Sequence, residues 1–190
     1  MNLIDRVKNI LLTPKTEWVT IAGETATLSS LLTSYVLPMA AIPAAASVLS
    51  GMVIGMGMGT KFIIMSALIA YVMAVISYVI TAYVADILAP TFKSEKNLDK
   101  SAQLVAYAAT ASWVASILSI IPVIGWLSSI AGGIYAIYLL YLGVGPVKKT
   151  PDDQRVIYVV IIVVVLIVAS MVLGSILGMF LLAGGAMSTL

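Results

Sequence analysis

Five long apolar stretches, separated by short polar segments, organise this chain of 190 residues. A helix needs about 20 apolar residues to cross a hydrocarbon core roughly 30 Å thick. The pattern therefore predicts an all-α membrane protein in which one transmembrane domain, residues 28–190, forms a five-helix bundle. The predicted spans are residues 28–53, 62–89, 101–121, 123–143 and 156–182.

A shorter amphipathic pattern precedes the first span. Its apolar side chains fall on one helical stripe, made by Leu3, Val7, Ile10 and Leu11. Charged residues occupy the other positions, and Pro14 ends or turns the helix. The pattern predicts that residues 1–27 are a cytoplasmic segment with an amphipathic helix lying on the membrane surface.

Basic residues are distributed unevenly among the segments between the spans. Of the 10 lysines and arginines, only Lys61 lies on the side opposite the N-terminus. The others are Arg6, Lys8, Lys15, Lys93, Lys96, Lys100, Lys148, Lys149 and Arg155. Since cytoplasmic segments carry an excess of Lys and Arg, this predicts a cytoplasmic N-terminus and an external C-terminus. Spans three and four could also form a re-entrant hairpin, but their length of about 20 residues each favours full crossing.

Composition supports the membrane assignment and excludes several kinds of chemistry. The chain is 62% hydrophobic and 9% charged, with a mean hydropathy of +1.13. It has no Cys and no His, which excludes disulfides, thiol catalysis, iron–sulfur clusters and His-based acid–base chemistry. A net charge of +2 without a basic patch does not indicate nucleic acid. No nucleophile–base pair or phosphate-binding glycine loop appears, so neither an enzyme nor a cofactor is expected.

Asp86 is the sharpest candidate for chemistry, because ionisable groups at membrane depth often mark solute or proton paths. In that interpretation Asp86 is protonatable or coordinates a cation, with Tyr83 on the same helical face and Tyr107 near the inner end of span three. The structural interpretation, which we favour, pairs Asp86 with Lys93, Lys96 or Lys100 and anchors the end of span two. The candidate polar cluster is therefore Asp86, Tyr83, Tyr107 and Lys100.

Other motifs predict helix distortion and close packing. Pro38 and Pro43 predict a kink in span one, and residues 122–125, from Pro122 to Gly125, predict the hairpin turn between spans three and four. Between spans one and two, Met52, Met56 and Met58 have a spacing that could hold Cu(I). The interleaved Gly51, Gly55 and Gly59 favour close helix packing instead, so no metal site is expected.

Several short motifs together resemble the bacterial branch of the Yip family, the integral membrane proteins named for interaction with Ypt/Rab GTPases. They are Pro14-Lys15-Thr16-Glu17-Trp18, Leu104-Val105-Ala106-Tyr107, Ile121-Pro122-Val123-Ile124-Gly125-Trp126, Gly132-Gly133-Ile134-Tyr135, Leu140-Tyr141-Leu142-Gly143 and Lys149-Thr150-Pro151. The resemblance implies a five-helix fold with a cytoplasmic N-terminus, in a bacterial or archaeal cytoplasmic membrane. The long N-terminal region of eukaryotic members has no counterpart here, so small-GTPase binding is not expected.

Two functions remain open from the sequence. The first is a non-enzymatic protein that organises or scaffolds partners, among them other membrane proteins or further copies of itself, through helix–helix contacts in the lipid bilayer. The alternative is a small transporter or channel for an ion or small solute, with a cytoplasm-facing cavity near Asp86. The two differ in whether Asp86 faces a wet cavity or a packed interface.

Overall fold

The computed structural model describes residues 2–54 and 59–187, and within these ranges the chain folds into helices without any strand. Five helices are long and apolar enough to cross a membrane. This confirms the predicted all-α, five-helix architecture. Gly55, Met56 and Met58 of the glycine–methionine segment lie outside the described residues.

The helices follow one another with short connections. Two ten-residue helices come first, α1 (Leu3–Leu12) and α2 (Pro14–Gly23), and we call them together the N-terminal hairpin. The first candidate span combines α3 (Leu28–Leu31), a π-helical turn (Leu32–Val36) and α4 (Leu37–Ile54). The remaining spans contain α5 (Thr60–Leu88), α6 (Leu98–Ala115), α7 (Pro122–Lys148) and α8 (Asp152–Met187). Short 3₁₀ turns extend α5 through Ala89–Phe92 and α6 through Ser116–Ile120.

Helix α6 lies at the centre of the bundle. In its apolar window 44% of the residues are buried, against 17% in the windows of α5 and α8. Small residues let α6 occupy this central position. At the contact with α7, a Cβ added to Gly132 would lie only 2.5 Å from the Cβ of Ala115 on α6. The two backbones therefore approach as closely as glycine permits.

The prolines of the first span are accommodated in two ways. Proline lacks the backbone N–H and its ring clashes with the carbonyl four residues earlier. The π-helical turn ends just before Pro38, where the wider backbone relieves that clash, and Pro43 lies inside α4. Tyr71 of α5 donates a hydrogen bond to the Leu37 carbonyl at 3.1 Å. A neighbouring helix thus supplies a donor to a carbonyl of this altered segment.

The turn between α6 and α7 comes earlier than residues 122–125. Pro122 begins α7, where its missing N–H costs nothing, and the chain reverses through the preceding 3₁₀ turn. Gly125 lies within the first part of α7, and its N–H donates to the Ile121 carbonyl at 2.6 Å. A Cβ at Gly125 would lie 2.7 Å from the Ser119 Cα, so this position needs glycine because of the returning chain.

The N-terminal hairpin packs against the bundle through its apolar stripe. Ile10 is fully buried, and Leu3, Val7 and Leu11 pack on the core. Tyr135 of α7 donates a hydrogen bond to the Leu11 carbonyl at 2.7 Å. The stripe that we expected to face the membrane surface therefore contacts α6 and α7, since those helices offer an apolar groove of their own.

Candidate functional site

Buried charges concentrate at one end of the bundle, which we call the loop end. It carries the α5–α6 connection around residues 93–97 and the α7–α8 connection around residues 149–151. Two polar clusters lie there, each organised around a buried cation, and we name them the Lys148 cluster and the Arg6 cluster after those cations.

The Lys148 cluster joins four segments of the chain. Lys148 is the last residue of α7 and its side chain is fully buried. Its Nζ lies 3.2 Å from Asp86 Oδ1 on α5 and 2.6 Å from Ser101 Oγ on α6. It also donates to the Asn97 carbonyl in the α5–α6 connection at 3.1 Å. A buried lysine needs a carboxylate and further acceptors to offset its lost hydration, and this site supplies both.

A second set of contacts links the two connections directly. The Glu95 N–H donates to the Lys148 carbonyl at 2.8 Å, and Glu95 Oε2 pairs with Lys149 Nζ at 2.7 Å. The hydroxyls of Ser94 and Thr150 lie 2.8 Å apart. The Lys149 hydrogen bond holds the pKa of Glu95 below its usual value. These contacts fix the end of α7 against the connection that leads into α6.

The Arg6 cluster fastens the N-terminal hairpin to α6. The Arg6 guanidinium pairs with Glu17 at 2.5 Å and also contacts Glu24, and it lies over the Tyr107 ring at 5.1 Å from the centroid. Burial opposes the charge of Arg6, but the Glu24 hydrogen bond and the nearby acidic groups outweigh it and raise its pKa. Lys100 Nζ donates to the carbonyls of Ala22 at 2.8 Å and Glu24 at 2.7 Å. Charged contacts thus hold both ends of α2.

Aromatic rings extend the Arg6 cluster into the bundle. Tyr107 packs edge-on against Tyr35, with centroids 4.7 Å apart, and against Trp18 at 6.4 Å. The Tyr35 hydroxyl lies 2.6 Å from Thr110 Oγ1. Trp18 fits against Gly143 of α7, where a Cβ would lie 2.7 Å from the indole. The rings therefore close the space between the hairpin, the first span, α6 and α7.

The structure does not gather the four predicted site residues into one cluster. Asp86 pairs with Lys148 rather than with Lys93, Lys96 or Lys100, so the expected partner was wrong. Lys100 and Tyr107 belong instead to the Arg6 cluster, and Tyr83 is 48% exposed on the outside of the bundle. Sequence reasoning missed Lys148 because topology alone explained a lysine at the end of a span. Glu17 lies in the first turn of α2 and Glu24 just after its end, so no helical spacing in the sequence links them to Arg6.

Two mainly apolar grooves flank α8 and lie away from both clusters. Each is about 340 Å³, and Trp113 and Leu166 contribute to both. Asp86 lines neither groove, and its side chain is only 12% exposed. Among the described residues, no group of three or more acidic side chains is placed to hold a metal ion.

The order of these elements has a counterpart in a known family. A sequence model of the Yip1 domain matches residues 8–174, from the middle of α1 into the far half of α8. The chain belongs to the Yip1 family. Comparisons with curated proteins and with solved structures gave no match. Both polar clusters of this Yip1-domain protein involve residues within the matched range, apart from Arg6. With five helices able to cross a bilayer, it is a multi-pass membrane protein.

Proposed function

We propose that this protein is a non-enzymatic membrane organiser, which brings partners together in the bilayer through helix–helix and protein–protein contacts. In this proposal the loop end, with the N-terminus, faces the cytoplasm and the C-terminus lies outside. The excess of Lys and Arg in the segments of the loop end supports that orientation.

The observation that carries the proposal is the surroundings of Asp86. This carboxylate is the group best suited to a solute or proton path, yet it is buried against Lys148 and Ser101. Its charge is used within the protein to hold α5, α6 and α7 together. A transport site needs a polar group that exchanges contacts with water or substrate, and a buried carboxylate paired with a lysine is poorly suited to that task.

The outer surface of the bundle supports a role in helix–helix contacts. Beyond Ile162, no described side chain of α8 is buried. Val164, Val168, Met171 and Val172 are among its exposed residues, and a Cβ at Gly174 or Gly178 would meet nothing within 4 Å. Helices associate in membranes through van der Waals packing, for which such a smooth apolar surface is suited. In this proposal α8 is the surface that partner helices use.

The first test asks whether water reaches the Lys148 cluster. The chain has no native cysteine, so Ser101→Cys introduces a single thiol there without removing the ion pair. Lys96→Cys, on the exposed connection, is the control. In sealed vesicles that expose the loop end, a membrane-impermeant maleimide should label the thiol at position 96. It should leave the thiol at position 101 unmodified until SDS unfolds the protein. Labelling of both at similar rates would reveal a vestibule, contradict the proposal and favour the transporter.

The second test asks whether α8 meets other proteins. A photo-crosslinking residue at Met171, on the exposed face, should give discrete protein adducts in the native membrane. The same residue at Ile64, exposed on α5, is the matched lipid-facing control. Adducts with lipid alone at both positions would contradict the use of α8 as a partner surface.

A further inference from the structure

The N-terminal hairpin lies alongside the membrane-spanning helices rather than beyond their ends. Its loop-end side is marked by Glu24, whose carbonyl accepts hydrogen bonds from Lys100 and Gln103 near the start of α6. Its tip is marked by Leu11, whose carbonyl accepts from Tyr135 in the middle of α7. Trp18 lies between these levels, against Gly143. The hairpin therefore runs down the side of α6 and α7.

The depth of the tip follows from helix geometry. Tyr135 is 13 residues before Lys148, which is about 20 Å along the helix axis. The candidate span of α7 has 26 residues, about 39 Å long, and exceeds a hydrocarbon core of roughly 30 Å by about 10 Å. Even if the whole excess projects at the loop end, the tip of the hairpin reaches about 10 Å into the hydrocarbon region.

The side of the hairpin that faces away from the bundle carries large apolar and basic residues, together with Asp5 and three threonines. Its exposed large apolar residues are Ile4 (75%), Leu12 (70%) and Val19 (67%). Lys8 lies between Ile4 and Leu12 on one face of α1, and Lys15 is one turn before Val19 on α2. If this side faced water, nothing would favour large apolar side chains at these positions. A lipid leaflet covers the apolar side chains and attracts the lysines.

The threonine hydroxyls near the tip need no water. The hydroxyls of Thr13, Thr16 and Thr20 donate to the carbonyls of Asn9, Thr13 and Thr16. Hydroxyls bonded to their own helix are tolerated at membrane depth, because no donor is left unpaired in lipid.

We infer that the N-terminal hairpin is a wedge in the leaflet at the loop end, with Leu12 among the acyl chains, Val19 nearer the headgroups, and Lys8 and Lys15 extending toward anionic phosphate groups. The lysine stems are long enough to bring the ammonium groups toward the headgroups while the helices remain in the hydrocarbon. The partner of this surface is thus the phospholipid leaflet itself. The inference differs from the surface helix expected from the sequence, because the bundle takes the apolar stripe of α1 and lipid covers the opposite side.

Fluorescence quenching in proteoliposomes of phosphatidylcholine and phosphatidylglycerol tests the depth. A polarity-sensitive dye is placed on single cysteines at Ile4, Leu12 and Val19, with Val164 of α8 as the lipid-facing reference and Lys96 as the aqueous reference. Lipids brominated in the middle of the acyl chain should quench the dye at position 12, near the tip, nearly as strongly as at 164. The dyes at positions 4 and 19, about 12 Å and about 9 Å nearer the loop end, should be quenched less.

Aqueous iodide quenches dyes that are exposed to water, so it should give the opposite order of quenching. It should quench position 96 strongly and position 12 as weakly as position 164. Iodide quenching at 12 and 19 equal to that at 96, without quenching by brominated lipid, would overturn the wedge and leave the hairpin in water or under a soluble protein.

A second measurement tests the lysines. Adding phosphatidylglycerol to protein in neutral detergent should raise its melting temperature, and the rise should be smaller in Lys8→Gln/Lys15→Gln, because each lysine near an anionic surface contributes separately. Lys93→Gln/Lys96→Gln, on the exposed connection, is the matched control for loss of charge. An equal rise in the hairpin variant and the wild type would overturn the phosphate contact.

Discussion

The loop end and the far half of α8 are both built mainly from apolar helices, yet they are held in different ways. All five ion pairs among the described residues lie at the loop end or in the N-terminal hairpin. In α8 the last buried side chain among those described is Ile162, and the described side chains after it are exposed or half-buried.

Glycines show the same contrast. At Gly132 and Gly143 an added Cβ would lie within 3 Å of a neighbour, whereas at Gly174 and Gly178 it would meet nothing within 4 Å. Small residues are the means by which membrane helices approach closely, but they do so only where a partner helix is present. Apolar composition therefore keeps a helix in the bilayer, and specific polar and small residues decide which helices pack together.

Breaking the buried ion pair is the largest expected effect. Lys148→Met leaves Asp86 buried without its cation, which typically costs about 3–5 kcal/mol. The double variant Asp86→Asn/Lys148→Met removes both charges and should recover much of that loss. Val164→Ala on α8 should change the free energy of unfolding by less than about 0.5 kcal/mol.

SDS titration of the purified protein, followed by circular dichroism, measures these differences. Equal losses in the single and the double variant would mean that Asp86 and Lys148 do not stabilise the loop end as a pair.

The second largest effect is expected from adding a methyl group where two helices are in close contact. Gly132→Ala places a Cβ 2.5 Å from that of Ala115 and 3.2 Å from the Ala111 carbonyl, so α6 and α7 must separate. Overpacking of this kind costs about 1–3 kcal/mol. At the neighbouring Gly133 there is nothing within 4 Å, so Gly133→Ala should be neutral or stabilising by up to about 1 kcal/mol, as alanine favours helix.

Gly174→Ala on α8 extends this comparison and should behave like Gly133→Ala in the same SDS titration. A loss at Gly174 as large as at Gly132 would show that α8 already has a close helical neighbour in the purified protein.

A single hydrogen bond in the core is a smaller target. Tyr35→Phe removes the hydroxyl that bonds Thr110 Oγ1 and should cost about 0.5–1.5 kcal/mol. Tyr138→Phe, at a half-exposed ring on α7, is the control and should change stability less. If Tyr35→Phe unfolds at the wild-type SDS concentration, the hydroxyl pair contributes nothing to the contact between the first span and α6.

The comparison also explains what the sequence could predict. Five spans follow from hydropathy, because the thickness of the bilayer sets how many apolar residues a helix needs. The end of each helix follows less well, since α7 continues to Lys148 where the apolar pattern suggested residue 143. The extra turn matters, because it brings Lys148 into the bundle.

The partners of the buried charges could not be read from the sequence. Asp86 is close along the chain to Lys93, Lys96 and Lys100, but it pairs with a lysine 62 residues away because α5 and α7 end at the same level. The apolar stripe of α1 could be recognised from its helical spacing alone. It could not tell whether lipid or α6 and α7 would cover it, since both are equally apolar.

The exposed ion pair between Glu95 and Lys149, which links the two connections, is expected to give the smallest effect. Its contribution can be measured by changing the pH. The pKa of Glu95 is lowered from its usual 4.5, with the Lys149 hydrogen bond as the main cause. A carboxyl group with a lowered pKa in the folded state stabilises the protein fully above its unfolded pKa, and this contribution disappears as the pH falls through the folded value. Because Glu95 and Lys149 are partly exposed, the contribution should stay below about 1 kcal/mol.

We expect the wild type to lose more stability than Glu95→Gln as the pH falls from neutrality to below 4.5 in the same SDS titration, because other carboxyl groups titrate equally in both. Parallel pH dependences would show that the Glu95–Lys149 pair adds nothing to the loop end, whose rigidity would then rest on the buried Lys148 cluster and the Arg6 cluster alone.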